Sequence, residues 1–132
     1  MPEKEFQHKI AVVTGAGQGI GFEISRQLAL QGASVLLNDI DESLTETAVE
    51  KIKAEGGNCI GIPGDAGSVS VINEMVKQAV DTFGKVDIVI ANAGITLFAD
   101  FFDYTPEAFS KVMQLNLAGS FFLAQVAAKQ MK

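Results

Sequence analysis

The sequence predicts an α/β fold, a parallel, doubly wound sheet with its strands in the order 3-2-1-4. Three observations carry this. Four short apolar runs with β-branched residues recur along the chain, as strands covered on both faces require. Between them lie stretches with apolar residues at helical spacing, closed by glycine. The first run also passes through a glycine-rich turn straight into a helix, and right-handed crossovers carry the next strands outward on one side before reversing.

Strand one is Ile10 to Val13, within the stretch Lys9 to Gly21, KIAVVTGAGQGIG. Its turn sets Gly15, Gly17, Gly19 and Gly21 within seven residues, so the backbone can fold tightly and present its N–H groups. A helix starting near Gly19 aims its dipole at the same spot, a ready place for a phosphate. The spacing is not G-x-G-x-x-G, because Ile20 and Phe22 stand where the last glycine would be, and no Gly-Lys-Ser/Thr follows as in a Walker loop. A bare pattern of this kind also serves a tight turn with no ligand.

Ile20, Ile24 and Leu28 recur at helical spacing and are expected to face the sheet until Gly32 stops the helix. Strand two, Ser34 to Asn38, ends at Asp39. Asp41 to Glu55 reads as a helix with Leu44, Ala48 and Ile52 inward and Gly56-Gly57 as its stop. Asn58 to Ile62 is strand three, closed by Pro63-Gly64-Asp65. The next helix, about Ser68 to Phe83, turns in Val71 or Ile72, Met75 or Val76, Ala79 and Phe83, and Gly84 ends it. Strand four, Val86 to Ala91, flows into Asn92-Ala93-Gly94. The reversal between strands one and four opens a crevice at their carboxyl ends, where ligands of open α/β sheets bind.

A loop rich in Phe98, Phe101 and Phe102 leads to Thr105-Pro106-Glu107, which joins an N-cap, a first-position proline and an acid beside the dipole. The helix that follows runs to Lys132. Phe109, Val112, Met113, Leu117, Phe121, Ala124 and Ala128 are expected to cover one side, with Leu115, Phe122, Leu123 and Val126 off it. A helix apolar nearly all round is buried on more than one side, so something outside these residues is expected to cover it.

Composition narrows the function classes. Hydrophobic residues make up 48% and charged residues 20%, a globular balance. A net charge of −6 with no Lys/Arg cluster argues against nucleic acid or an anionic membrane as partner. The one cysteine, Cys59, excludes an internal disulfide and fits a small buried hydrophobe in a reducing compartment. The N-terminal MPEKEFQHK lacks the apolar core of a signal peptide, and the tract Leu115 to Ala128 is broken by Asn116, Ser120 and Gln125 and too short to span a bilayer. A soluble cytoplasmic protein is expected, and no metal site is assigned.

Asp39 lies eighteen residues after Gly21, where a carboxylate accepts hydrogen bonds from adenosine ribose hydroxyls and repels a 2′-phosphate. Gln18 stands in the turn where a cation would sit, so NAD is preferred over NADP. Asp39 in NDIDES also suits a helix cap, although Asp41 could cap the same helix. Asp65 suits a turn as well as a ligand. Asn116, polar in an apolar helix, must be hydrogen-bonded if buried.

Taken in order, Thr14-Gly15-x-x-x-Gly19-Ile20-Gly21, Asp39, Asp65, Asn92-Ala93-Gly94 and Asn116 resemble the short-chain dehydrogenase/reductase family across essentially the whole chain. The resemblance implies a Rossmann-type sheet and a cofactor site. Gly15, Gln18, Gly19, Ile20 and Gly21 hold the pyrophosphate, Asp39 the ribose, Asp65 with Ala66 the adenine, and Asn92, Ala93 and Gly94 the adenosine side. It further implies that Thr14 ties the turn to the Asn92 segment and that Asn116 belongs to a proton-relay tetrad. Ala91 replaces the first Asn of the family's Asn-Asn-Ala-Gly.

Family members are roughly twice as long, and their Ser and Tyr-x-x-x-Lys fall beyond Lys132. The one tyrosine here, Tyr104, has Ala108 four residues on and precedes the helix, so the catalytic base does not carry over to it. The chain is therefore expected to be one cofactor-binding domain over 1–132, cut after the fourth crossover helix and inactive alone. Strand four is expected as a bare apolar edge, and the last helix as the contact to a later helix and a second subunit, giving a homo-oligomer. The parent would move hydride between NAD and an alcohol or carbonyl. A reading from another class is a natural short NAD-binding module without turnover, a sensor or regulatory partner.

Overall fold

The computed structural model describes residues 3–132. Strands β1 (Ile10–Val13), β2 (Ser34–Asp39), β3 (Asn58–Pro63) and β4 (Ile88–Ile90) form one parallel sheet in the order β3-β2-β1-β4. They alternate with α1 (Gly19–Leu30), α2 (Glu42–Ala54) and α3 (Val69–Phe83). After a 3₁₀ turn at Phe101–Asp103, α4 (Pro106–Met113) continues through a π-helical segment, Gln114–Gly119, into α5 (Ser120–Met131). The expected strand order is the observed one.

Both faces of the sheet are covered, which is why β1 is apolar at every position. Ala11 and Val13 join Val35, Leu37 and Cys59 under α1 and α2, while Ile10 and Val12 join Leu36 under α3 and α5. This is the period-two alternation of a strand, with each buried Val or Leu contributing roughly 1.5–3 kcal/mol. Burial pushes the Cys59 thiol up to about 12, so it stays protonated and serves as a small apolar filler.

Two helix faces differ from expectation. In α1 the buried residues are Gly21, Ser25 and Ala29, one position beyond Ile20, Ile24 and Leu28, and Ile20 is 75% exposed. Small side chains let the helix axis approach the sheet, and Ser25 can be buried because its hydroxyl donates to the Gly21 carbonyl at 2.9 Å. Ile24 and Leu28 flank this contact. In the last helix, Gly119, Leu123 and Ala127 face the core, whereas Phe109, Met113, Leu117 and Phe121 point outward. Both stripes step by four residues, so spacing alone could not say which would be inside.

β4 is shorter than Val86 to Ala91 because its ladder with β1 runs only from Ala11↔Ile88 to Val13↔Ile90. Asp87, just before it, fastens the two strands. Its Oδ2 accepts from the Ile10 N–H at 2.9 Å, and its N–H donates to the Ile10 carbonyl at 2.9 Å. Lys85 pairs with the same carboxylate at 3.0 Å. Partial burial pushes the Asp87 carboxyl up, but the Ile10 N–H, the Lys85 hydrogen bond and charge and the Lys9 charge together outweigh it and hold it below its ordinary value.

A carboxyl held lower when folded contributes stability above its unfolded value and loses it as pH falls through the folded one. Asp87→Asn should therefore cost about 0.5–1 kcal/mol in urea unfolding at pH 7. The gap to the parent should close on acidification through the carboxylate range. A gap that persists in acid would mean the charge at Asp87 is not what stabilises the strand pair.

Candidate functional site

The glycine turn is pressed against the exit of β4. Thr14 at the end of β1 accepts on Oγ1 from the Asn92 N–H at 3.2 Å and the Ala93 N–H at 3.1 Å. Asn92 Nδ2 donates back to the Gly15 carbonyl at 3.0 Å. Gly15 has φ +61, and a Cβ there would lie 2.8 Å from the Ala93 Cα, so the position requires glycine on both counts. A Cβ at Gly21 would meet Asn92 Nδ2 and the Gly15 carbonyl. The tie between Thr14 and the Asn92 segment is thus present as hydrogen bonds.

The end of β2 closes the other side of the turn. Asp39 accepts on Oδ2 from the Gly17 N–H and on Oδ1 from the Asp41 N–H, both at 3.0 Å. The α2 cap is Asp41, whose Oδ1 accepts from the Leu44 N–H at 2.9 Å. Asn38, buried to 1% exposure, donates from Nδ2 to the Ile62 and Gly64 carbonyls and accepts the Ala16 N–H on its own carbonyl at 2.7 Å. It joins the ends of three neighbouring strands. Sequence reading passed over it as a strand residue, although a polar side chain at the end of SVLLN was the signal.

After β3, Asp65 accepts the Gly67 N–H on Oδ1 at 2.8 Å and forms a tight turn. From the last helix, Gln114 Nε2 donates to the Gly67 carbonyl at 2.7 Å. Asn116 is exposed, and its amide makes a matched pair with the Ile95 backbone: Oδ1 accepts the N–H at 2.9 Å and Nδ2 donates to the carbonyl at 2.8 Å. It fixes the loop leaving β4. Among the described residues no buried side-chain polar atom lacks a partner.

These ends enclose a crevice of about 290 Å³ at the carboxyl edge of the sheet. Gly15, Gln18, Asp39, Asp65, Ala66, Asn92, Ala93 and Gly94 line it, together with Asn38, Ile40, Gly64, Ile95 and Leu115. Gly19, Ile20 and Gly21 form the first turn of α1 beside it, and Asn116 reaches it only through Ile95. Tyr104 is not among the lining residues. A larger groove of about 590 Å³ lies on α1 around Phe6, Ile24 and Leu28. Of its four polar members, Glu5, Glu23, Gln27 and Gln31, Glu23 and Gln27 hydrogen-bond each other, whereas the smaller crevice gathers strand ends and a helix N-terminus, and chemistry favours the latter.

The residues present fit an anionic, two-ended ligand. The N-cap of α1, Gln18, makes no side-chain cap, and no acidic residue stands in that helix's first turn. Its leading N–H groups thus lack the cap that commonly consumes them, and the place where a Gly19 Cβ would project is open for 4 Å. Asp39 keeps acceptor capacity beyond its two N–H partners. None of the described residues lining the crevice is Lys or Arg.

A family model described as short chain dehydrogenase matches residues 9–132. An uncharacterized oxidoreductase of Thermotoga maritima is 40% identical over 127 residues, 96% of this chain and 50% of its own length. A versicolorin reductase of Emericella nidulans is 39% identical over 125 residues, 94% of this chain and 47% of its own. The chain spans about half the length of the curated relatives it matches. Among solved structures, an NAD+-bound xylitol dehydrogenase superposes with a TM-score of 0.91 at 31% identity, over 97% of this chain and 50% of that one. With the match running through every element from β1 to α5, the chain belongs to the short-chain dehydrogenase family.

Proposed function

We propose that residues 1–132 form one NAD-binding domain of an oxidoreductase that moves hydride between NAD and an alcohol or carbonyl substrate. The observation that carries this is the order of groups along the sheet edge. From β3 through β2 to β1 stand Asp65 with Ala66, then Asp39, then the glycine turn and the α1 N-terminus. Adjacent strands are about 4.8 Å apart, so the three stations are spaced like adenine, ribose and pyrophosphate in an extended dinucleotide. That a similar structure, a xylitol dehydrogenase, was solved with NAD+ bound supports NAD as the ligand.

In this reading the N–H groups of Gly19, Ile20 and Gly21 face the pyrophosphate, with Gly15 and Gln18 shaping its approach. Asp39 accepts from the ribose hydroxyls, and its charge, with no lining cation to offset it, disfavours a 2′-phosphate. Asp65 and Ala66 take the adenine, and Asn92, Ala93 and Gly94 border the adenosine side. Bound NAD supplies the hydride acceptor. Asn116 acts on that chemistry as a positioning residue, because its amide is engaged by Ile95. The carbonyl-polarising Ser and the acid/base Tyr-x-x-x-Lys of the family are not assigned to any of these residues, so in this reading they bind cofactor without turnover on their own.

We extend the proposal to assembly. Phe109, Met113, Leu117 and Phe121, 36–59% exposed, line one apolar stripe along the α4–α5 rod. A second copy packed on this stripe removes it from water. Among the described residues no helix is long and apolar enough to cross a membrane.

Calorimetry on the purified chain should give NAD binding, with NADP weaker. Asp39→Asn removes the charge and one of the two acceptor oxygens, leaving a partner for only one of the Gly17 and Asp41 N–H groups, and should narrow the NAD over NADP preference by about tenfold. Unchanged affinity for both would reduce Asp39 to a turn residue. In sedimentation, the parent should run as an oligomer and Leu117→Asp as a smaller species, since burying an unpaired carboxylate opposes assembly. A parent that sediments as a monomer would remove the assembly proposal.

A further inference from the structure

We propose that Gln114 is a positioning residue for the adenine end of the crevice, acting through Gly67; this rests on the reading of the crevice as a dinucleotide site. Gly67 is held from both sides. Its N–H donates to Asp65 Oδ1 at 2.8 Å and its carbonyl accepts from Gln114 Nε2 at 2.7 Å. Asp65 Oδ1 is thereby committed, and Oδ2 remains as the acceptor for a base. The N–H lies in the Ala66–Gly67 peptide and the carbonyl in the Gly67–Ser68 peptide, so Gln114 acts by fixing the Gly67 Cα that joins them, and the direction in which Oδ2 is offered follows that position.

The contact around this bond is unusually close. A Cβ at Gly67 would lie 3.1 Å from the Gln114 carbonyl oxygen and 3.3 Å from the Leu115 Cα, and one at Gly119 would lie 2.7 Å from the Ala66 carbonyl oxygen. Helix backbone and turn backbone meet here with no side chain between them. Gln114 and Gly119 are five residues apart, which in an α-helix places them about 140° apart around the axis. Both reach the same turn because Gln114–Gly119 is π-helical, where residues five apart share a face. The widened turn thus docks the last helix on Ala66 and Gly67, while Asn116 within it holds Ile95. One helical segment holds both the adenine side and the β4 side of the crevice.

A merely structural bond would stabilise the helix without changing how the base is read, so the test compares NAD with nicotinamide hypoxanthine dinucleotide, in which the adenine amino group is replaced by oxygen. By calorimetry the parent chain should prefer NAD by about tenfold. Gln114→Ala and the isosteric Gln114→Glu, which lacks the donor, should cut that ratio to about threefold or less. Gln114→Lys restores a donor and should recover it. The side chain is exposed, so Gln114→Glu keeps the fold if Gln114→Ala does not. Variants that lower Tm yet keep the parent ratio would overturn the proposal, as would a parent that binds both dinucleotides equally, which leaves the dinucleotide site itself standing. A parent that binds neither would remove both.

Discussion

The close approach of the glycine turn to the end of β4 is the constraint on which the rest of the site depends. Thr14 cannot accept from both Asn92 and Ala93 unless the two strands end level, and they can end level only if nothing projects from Gly15. The parallel ladder between β1 and β4 brings the chains to this point, and Asp87 pins the opposite end of the same ladder. A side chain at Gly15 would therefore do more than strain one residue. It would push the turn off β4 and spoil the direction of the α1 N-terminus, because Asn92 holds the turn by the Gly15 carbonyl. Overpacking and a forced positive φ each cost about 1–3 kcal/mol, a large part of a small domain's stability.

From that junction the polar ends of the strands are tied sideways. Asp39 holds the glycine turn, Asn38 holds the exit of β3, and Gln114 holds the turn beyond it. Each bond is modest in water, about 0.5–1.5 kcal/mol, but a buried amide such as Asn38 left unpaired costs about 1–3 kcal/mol. The network therefore specifies one arrangement of the crevice walls more than it adds net stability. Asp39 is not the α2 cap, which is Asp41; it accepts from the Gly17 and Asp41 N–H groups while its carboxylate lines the crevice.

What was legible in the sequence was what a local pattern determines. Strand runs, glycine stops and the right-handed crossover rule point to the order 3-2-1-4 that is observed, and Thr105-Pro106 marks a helix start whose threonine accepts from the Ala108 N–H at 3.1 Å. Phase was legible in α3, where Ile72, Met75, Val76 and Ala79 are buried as expected, but not in α1 or the last helix. In α1 large apolar residues suggested the buried face, but the sheet selected the small ones beside them, since closeness of approach rewards Gly21, Ser25 and Ala29. In the last helix two parallel stripes were available; α5 packs on α3 and β4 with Leu123 and Ala127 inward, and Gly119 meets the Ala66 carbonyl. The π-helical segment was not expected from spacing; its contact is with the sequence-distant turn at Ala66 and Gly67. Asn116 read as polar in an apolar helix, but its Ile95 partner is a backbone group that any sequence would supply.

Charge gives the crevice a direction. The chain carries −6, which at first opposes any anionic ligand, yet at physiological ionic strength a charge farther than about 8 Å is largely screened. Local groups therefore decide. At the β1 end stands an uncapped helix N-terminus, worth about 0.3–1 kcal/mol to an anion, and more where partly buried. At the β2 and β3 ends stand Asp39 and Asp65. A ligand with a phosphate at one end and hydroxyl and amino donors at the other is favoured in one orientation and opposed in the reverse, where phosphate would face two carboxylates. A shape match alone would not discriminate the two, since the crevice is open along the edge. The strand order that puts acceptors on β2 and β3 and donors on β1 is thus itself the source of polarity, and it follows from the handedness of the crossovers.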